Sequence, residues 1–139
     1  MNQANKPPVS DTTLPSPVVE QDGESVIMSF DEVSVQSRMR LDDPTALDLD
    51  YSRVMMAFLL IQPQPASILM IGLGGGSLAK YCHRHLPQAR ITVVEINPEV
   101  MAARETFQVP ADGERFSVVQ GDGAAFLATT PRDSYDVIL

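Results

Sequence analysis

The fold of this chain is decided by one stretch of its sequence, Ile68-Leu69-Met70-Ile71-Gly72-Leu73-Gly74-Gly75-Gly76-Ser77-Leu78-Ala79-Lys80. An unbroken apolar run leads into a cluster of glycines and then into a helical pattern. Glycines directly after a buried strand let the backbone turn tightly and approach a ligand. The free N–H groups that open the following helix favour polar or negative ligand groups. The stretch therefore predicts a nucleotide-binding turn between a strand and a helix.

Strand and helix patterns alternate from this stretch to the last residue. The predicted strands are 67–71, 90–95, 116–120 and 135–139, and the predicted helices are 77–86, 98–107 and 124–128. Strands that are apolar on both faces and joined by helices indicate a parallel sheet covered on both sides. We therefore predict an α/β fold, a doubly wound Rossmann-like sheet. Because the sequence stops inside an apolar run, we expect the sheet to be truncated after its fourth strand.

The N-terminal residues precede this sheet and divide into two parts. Residues 1–23 are rich in Pro, Ser, Thr and Asn and have no apolar period, which predicts a flexible arm. Residues 24–49 contain two β-type runs, 25–30 and 33–39, which predict a hairpin with a turn at Asp31-Glu32. Residues 50–139 then form the incomplete nucleoside-binding domain.

The nucleoside-binding domain is expected to begin with a helix over residues 50–61. The apolar residues follow helical spacing, and the prolines that come after residue 61 end the pattern. These apolar residues are Tyr51, Val54, Met55, Phe58 and Leu59. We expect this face to pack against the body of the domain.

Composition limits the possible partners. The formal net charge of -8 argues against a nucleic-acid surface or an anionic membrane, because both require clustered Lys and Arg. The longest apolar stretch, 54–61, is too short to span a bilayer. The single cysteine cannot form an internal disulfide, and no Cys/His spacing resembles a zinc site. We expect a soluble, cytoplasmic protein without a metal.

Two acidic residues complete the predicted site. Glu95 ends the second strand, where a carboxylate can accept hydrogen bonds from both ribose hydroxyls. Asp122 follows the third strand, which we expect to lie beside the first, so that its side chain could accept the adenine amino group. Two alternatives remain open. Asp122 could serve as a helix N-cap, and the glycine turn could serve packing alone with Glu95 a solvated strand end.

The spacing of the glycines bears on the kind of nucleotide. No Lys follows the loop in the Walker pattern, which argues against a triphosphate. The third glycine of the pyrophosphate fingerprint would fall at Ser77, which favours a nucleoside without a pyrophosphate. His83 and His85 lie two positions apart on a predicted helix and face different directions, so a metal pair is not expected.

The order of these motifs resembles the spermidine/spermine synthase family, the polyamine aminopropyltransferases, over roughly residues 25–139. The motifs are the hairpin, the helix that begins near a Tyr, the glycine loop, Val-Glu-Ile, Gly-Asp-Gly and Tyr-Asp-Val-Ile. The resemblance implies a fold like that of class I methyltransferases. The implied nucleoside-binding residues are Gln36 near the thioether, the loop glycines Gly72, Gly74 and Gly76, Glu95 at the ribose and Asp122 at the adenine amino group, with Tyr51 near the polyamine.

The sequence departs from the family at two positions. Gly75, which we keep among the nucleoside-binding residues, stands where the family has an Asp that binds the aminopropyl amine. Ser52 stands where a His usually follows the Tyr. Loss of a carboxylate that pairs with an ammonium should weaken its recognition sharply. The resemblance puts the general-base Asp just after Leu139, so the catalytic residue of this chain is unknown.

The resemblance implies a spermidine-synthase-like transferase. It would bind an S-adenosyl nucleoside, either decarboxylated S-adenosylmethionine or S-adenosylmethionine, as co-substrate. It would transfer an aminopropyl group to a polyamine amine, and it would assemble as a homo-oligomer. Two alternatives stay open: a methyltransferase that uses S-adenosylmethionine, and a non-catalytic nucleoside-binding module. The sequence also leaves open whether this fragment is active by itself.

Overall fold

The computed structural model describes residues 13–139, which form two sheets. The N-terminal sheet is antiparallel in the order β1-β2-β3, and the larger sheet is parallel in the order β6-β5-β4-β7. The strands are β1 Val18–Asp22, β2 Ser25–Ser29, β3 Val35–Arg40, β4 Ser67–Ile71, β5 Arg90–Glu95, β6 Phe116–Gln120 and β7 Val137–Ile138. The predicted α/β class and parallel sheet are confirmed.

The predicted hairpin corresponds to β2 and β3, but its connection is longer than predicted. The two strands are joined by residues 30–34, in which one oxygen of Asp31 accepts hydrogen bonds from the N–H groups of Val33 and Ser34. The prediction of a turn at Asp31-Glu32 alone is wrong. An Asp side chain that bonds the backbone two and three residues ahead stabilises a longer loop in place of a tight turn.

The prediction of a flexible arm is wrong for residues 18–22. These residues form β1, which pairs antiparallel with β2 through a turn at Gly23, where φ is 58°. A strand that is exposed almost throughout lacks the apolar period that sequence reasoning looks for, and its order comes from pairing with β2. The predicted arm over residues 1–12 lies outside the described residues, and the division of the chain at residue 50 stays a prediction.

The helix predicted over residues 50–61 is present as α1, Asp50–Met55, followed by a 3₁₀ turn over Met56–Leu60. The predicted packing face is only partly correct: Phe58 and Leu59 pack against the core, whereas Tyr51, Val54 and Met55 are exposed. Ser52 and Met56 are the buried residues, and Val54 is 71% exposed. Ser52 and Met56 lie four positions apart on one side of the helix, and the Met56 sulfur lies 3.9 Å from the Cys82 sulfur.

The parallel sheet corrects one expectation about strand order. The third strand, β6, pairs with β5, and the first strand, β4, has β5 on one side and β7 on the other. The expectation that the third strand lies beside the first is therefore wrong. Successive crossovers move the chain outward from β4 to β5 and β6, and the next connection returns to the free edge of β4.

Three helices complete this domain: α2 Ser77–His85, α3 Pro98–Ala102 and α4 Gly123–Thr129. Asn97 caps α3 as predicted, with its side-chain oxygen accepting the Glu99 N–H. The helix ends earlier than predicted, and the chain continues in turns as far as Phe107, whose ring is buried in the core. Among residues 13–139, no helix has the length and apolar character needed to cross a membrane.

Candidate functional site

Two cavities meet at the carboxyl end of β4, the first strand of the parallel sheet. The glycine cavity, of about 250 Å³, is lined by Gln36, Ser37, Tyr51, Met55, Met70, Ile71, Gly72, Leu73, Gly74, Ser77, Leu78, Ala79 and Leu139. The acid cavity, of about 320 Å³, is lined by Ile71, Gly72, Val94, Glu95, Ile96, Gly121, Asp122, Gly123 and Ala124. Both share Ile71 and Gly72. Ligands of doubly wound sheets bind in this place, at the carboxyl ends of the strands where the winding reverses.

Gly72 is the glycine that opens onto both cavities. Its φ of 95° is a conformation that residues with a side chain rarely adopt, and no atom lies within 4 Å of the position that a Cβ would take. Its N–H is already bonded to the Val94 carbonyl. The space above Gly72 is therefore free for a ligand to pass from one cavity to the other.

The next three glycines are instead packed against side chains from other elements. A Cβ at Gly74 would lie 2.8 Å from the Ser37 Oγ. One at Gly75 would lie 2.7 Å from a Phe107 ring carbon, and one at Gly76 would lie 2.6 Å from a Val109 methyl carbon. Packing requires a residue without a side chain at these three positions. Their role as ligand contacts stays a prediction.

Glu95 lies directly against the glycine loop. Its Oε2 accepts the Leu73 N–H at 2.7 Å, and its Oε1 accepts the Asn97 N–H at 2.8 Å. The residue is 7% exposed, which excludes the alternative of a solvated strand end. An ionised carboxylate has about four acceptor positions, so Glu95 keeps capacity for the two hydroxyls of a ribose in the acid cavity.

Asp122 lines the same acid cavity and also caps a helix. Its Oδ1 accepts the Ala125 N–H at 2.8 Å, so the alternative of an N-cap for α4 is confirmed. The side chain is exposed, and its second oxygen remains available to an adenine amino group. Cap and ligand contact are compatible, and the adenine contact stays a prediction.

Gln36 and Tyr51 are brought together at the glycine cavity. Gln36 lies on β3 and Tyr51 on α1, and the Tyr51 hydroxyl donates a hydrogen bond to the backbone carbonyl of Gln36 at 3.1 Å. Both line the cavity, although they lie more than twenty residues before the glycine loop. Six of the predicted site residues therefore line the two adjoining cavities, and Gly75 and Gly76 line neither. Gln36, Tyr51 and Gly74 line the glycine cavity, Glu95 and Asp122 line the acid cavity, and Gly72 lines both.

The glycine cavity has a neutral lining. Its described polar side chains are Gln36, Ser37, Tyr51 and Ser77, and no Asp, Glu, Lys or Arg side chain of residues 13–139 lines it. In the same part of the chain, no three His, Cys, Asp or Glu residues lie close enough together to hold a metal ion.

Two residues near the loop were missed by sequence reasoning. Ser37 is 4% exposed, and its Oγ accepts the Gly75 N–H at 2.8 Å. Lys80 is 3% exposed, and its Nζ donates to the Phe107 carbonyl at 2.7 Å. Burial lowers the pKa of Lys80 to about 8. Nothing in the local sequence singles out either residue, because both contacts join distant parts of the chain.

Comparisons with known proteins agree with this geometry. The polyamine aminopropyltransferase of Chromobacterium violaceum is 43% identical over 127 residues, which are 91% of this chain and 48% of that protein. A probable spermidine synthase from Corynebacterium glutamicum has a TM-score of 0.73 at 25% identity, covering 88% of this chain and 47% of that one. Human methyltransferase-like protein 13, solved in complex with SAH, has a TM-score of 0.56 at 29% identity, covering 65% of this chain and 46% of that one.

These matches cover only part of each relative. No family model matches the chain. The chain spans about half the length of the curated relatives it matches. The resemblance predicted from the motifs is nevertheless confirmed: over 91% of its length the chain is similar to curated polyamine aminopropyltransferases, at 42–43% identity.

Proposed function

We propose that this chain forms the donor-binding part of a transferase that uses an S-adenosyl nucleoside. The observation that carries the proposal is the hydrogen bond between the Glu95 carboxylate and the Leu73 N–H, which holds the acid against the glycine loop. The open space at Gly72 lies beside that contact. A buried acid next to a bare backbone turn is suited to a ribose and to the thioether or sulfonium group attached to it.

The two cavities suggest how the donor lies. In the acid cavity, Glu95 accepts hydrogen bonds from the ribose hydroxyls, and Asp122 accepts one from the adenine amino group. The sulfur passes over Gly72, and the chain attached to it enters the glycine cavity beside Gln36 and Tyr51. This orientation uses each predicted side chain in the cavity that it lines.

Aminopropyl transfer is the reaction that the relatives' name supports. The amine nitrogen of a polyamine attacks the aminopropyl carbon that is bonded to the sulfonium sulfur of decarboxylated S-adenosylmethionine. The new C–N bond forms as the C–S bond breaks, methylthioadenosine leaves with the electron pair, and the amine gives its proton to a base. The contribution of this chain is to bind and orient the donor, and the base is not assigned to any of its residues.

Methyl transfer is a second candidate, which the neutral lining of the glycine cavity favours. An aminopropyl ammonium would meet no acidic side chain there among the described residues. The packing of Phe107 against Gly75 leaves no room for an acid at that position. S-adenosylmethionine carries its own carboxylate beside the ammonium, so its amino-acid group has no net charge and matches a lining without charged side chains better.

Titration calorimetry tests the proposal directly. We expect methylthioadenosine to bind, and we expect Glu95→Gln to weaken its binding at least tenfold, because a neutral amide accepts less strongly than a carboxylate. Glu114→Gln, at an exposed acid that lines neither cavity, is the matched control and should bind normally. A chain that binds neither methylthioadenosine, decarboxylated S-adenosylmethionine nor S-adenosylmethionine contradicts the proposal. Preference between the last two separates aminopropyl from methyl transfer.

Two further properties belong to this proposal. We infer a homo-oligomer, as the family resemblance implies, and light scattering of the purified chain tests it. We infer a reducing compartment such as the cytoplasm, because the single cysteine, Cys82, is buried as a free thiol. Fractionation of cells tests the location.

A further inference from the structure

The glycine loop, residues 72–76, is held by side chains from two directions. Glu95 of β5 accepts the Leu73 N–H, and Ser37 of β3 accepts the Gly75 N–H at 2.8 Å. Gly74 lies between Leu73 and Gly75 in the chain and lines the glycine cavity. Its N–H has no hydrogen-bond partner among the described residues. The two anchors therefore fix the loop backbone on both sides of Gly74, a residue that lines the cavity.

Ser37 is built into a rigid support. It lies within β3 opposite Met28 of β2, beside the point where the register of the two strands shifts, and Met28 is fully buried. The Ser37 Oγ lies 2.8 Å from the position that a Cβ of Gly74 would take, so the hydroxyl rests directly on the loop backbone. A side chain fixed on a strand positions a loop more precisely than another loop could.

We propose that Ser37 is a positioning residue for the donor nucleoside. It holds the glycine loop in the conformation that presents Gly74 to the glycine cavity, and it links the N-terminal sheet to donor binding. This inference rests on the proposed function, because it requires a nucleoside in these cavities. Without the hydroxyl, the buried N–H of Gly75 loses its acceptor, and the loop must shift to find another.

The test compares methylthioadenosine binding by calorimetry for substituted chains. Ser37→Ala should weaken binding about tenfold, a factor that corresponds to about 1.4 kcal/mol. Ser37→Thr keeps a hydroxyl and should restore most of the affinity. Ser52→Ala is the matched control: Ser52 is also buried, its hydroxyl donates to the Leu49 carbonyl, and it lines neither cavity. It should leave affinity unchanged even if it lowers the thermal midpoint.

The outcomes separate this inference from the proposed function. If the unsubstituted chain binds methylthioadenosine and Ser37→Ala binds it equally well, the inference is overturned and the proposed function stands. If Ser37→Ala does not fold, Ser37→Cys keeps the volume with a much weaker acceptor, and its affinity must fall. If Ser37→Thr binds as weakly as Ser37→Ala, the hydroxyl is not the reason and the inference is overturned. If the unsubstituted chain does not bind, the proposed function fails and this inference fails with it.

Discussion

A side chain at position 75 should destabilise the fold, because the space is already occupied. A Cβ added to Gly75 would lie 2.7 and 2.9 Å from two Phe107 ring carbons and 2.9 Å from the Ser37 Cβ. Carbon atoms in good contact lie about 3.5–4.0 Å apart. Overpacking a core in this way typically costs about 1–3 kcal/mol. We therefore expect Gly75→Ala to lower the free energy of unfolding by about that amount.

Urea unfolding followed by circular dichroism measures this effect. The matched control is Gly113→Ala, since no atom lies within 4 Å of a Cβ at Gly113. It should be neutral or slightly stabilising. Phe107→Leu removes part of the ring that blocks the site, so its cost and that of Gly75→Ala should be less than additive in the double variant.

Equal stability of Gly75→Ala and Gly113→Ala would contradict this prediction, as would strictly additive effects of the substitutions at positions 75 and 107. The contacts of position 75 with Phe107 and Ser37 also bear on which donor the chain binds. Gly75→Asp should carry the same steric cost as Gly75→Ala, so that replacing this glycine with the family's acid does not by itself create a site for an aminopropyl ammonium. Tighter binding of decarboxylated S-adenosylmethionine to Gly75→Asp, without loss of stability, would contradict this expectation.

Three further predictions concern the loop, the cap and the buried lysine. Gly72→Ala should reduce the free energy of unfolding by about 1–2 kcal/mol, because Gly72 has a positive φ. It should also weaken methylthioadenosine binding in calorimetry. Unchanged affinity would show that the ligand does not pass over Gly72. Asp122→Ala should cost about 1 kcal/mol in urea unfolding through loss of the cap, whereas Asp122→Asn should remain stable; equal stability of the two would rule out the capping role. Burial lowers the pKa of Lys80 from 10.5 to about 8, so at this group the unfolded chain binds more protons between these values, and Lys80 should contribute a rise in stability with pH of up to about 3 kcal/mol across that window. Burial raises the pKa of the Cys82 thiol from 9.0 to about 12, which opposes this rise above pH 9. In Lys80→Met this rise, measured by urea unfolding at pH 7.5 and 10.5, should be absent, and its persistence would assign it to another group.

The elements of the parallel sheet could be read from the sequence because their signals are local. Strands β4, β5 and β6 have the predicted bounds, since each is an apolar run ended by glycine or by polar residues. The start of α3 was likewise predicted from Asn97 and Pro98. Strand β1 was missed because pairing with β2, and not burial of its own side chains, gives it order.

Most of the predicted site residues lie close together in the structure, but their arrangement was not predictable and their role in a site stays a prediction. Gln36, Tyr51, Gly72, Glu95 and Asp122 all line the two adjoining cavities, as expected from the motifs. Which of these side chains lines which cavity depends on the order of the strands in the sheet. The predicted position of the third strand, beside the first, was wrong. Their contacts with a nucleoside stay predictions.

The amino-acid sequence by itself determined the alternation of strands and helices, the glycine turn and the acid at the end of the second strand, because these follow from local periodicity and backbone freedom. Only the tertiary structure decided which glycine remains open and which are packed against Ser37, Phe107 and Val109. The same holds for the hydrogen bond from Gly75 to Ser37 and for the burial of Lys80. Each of these depends on atoms far apart in the chain that meet only when the sheets and helices pack together.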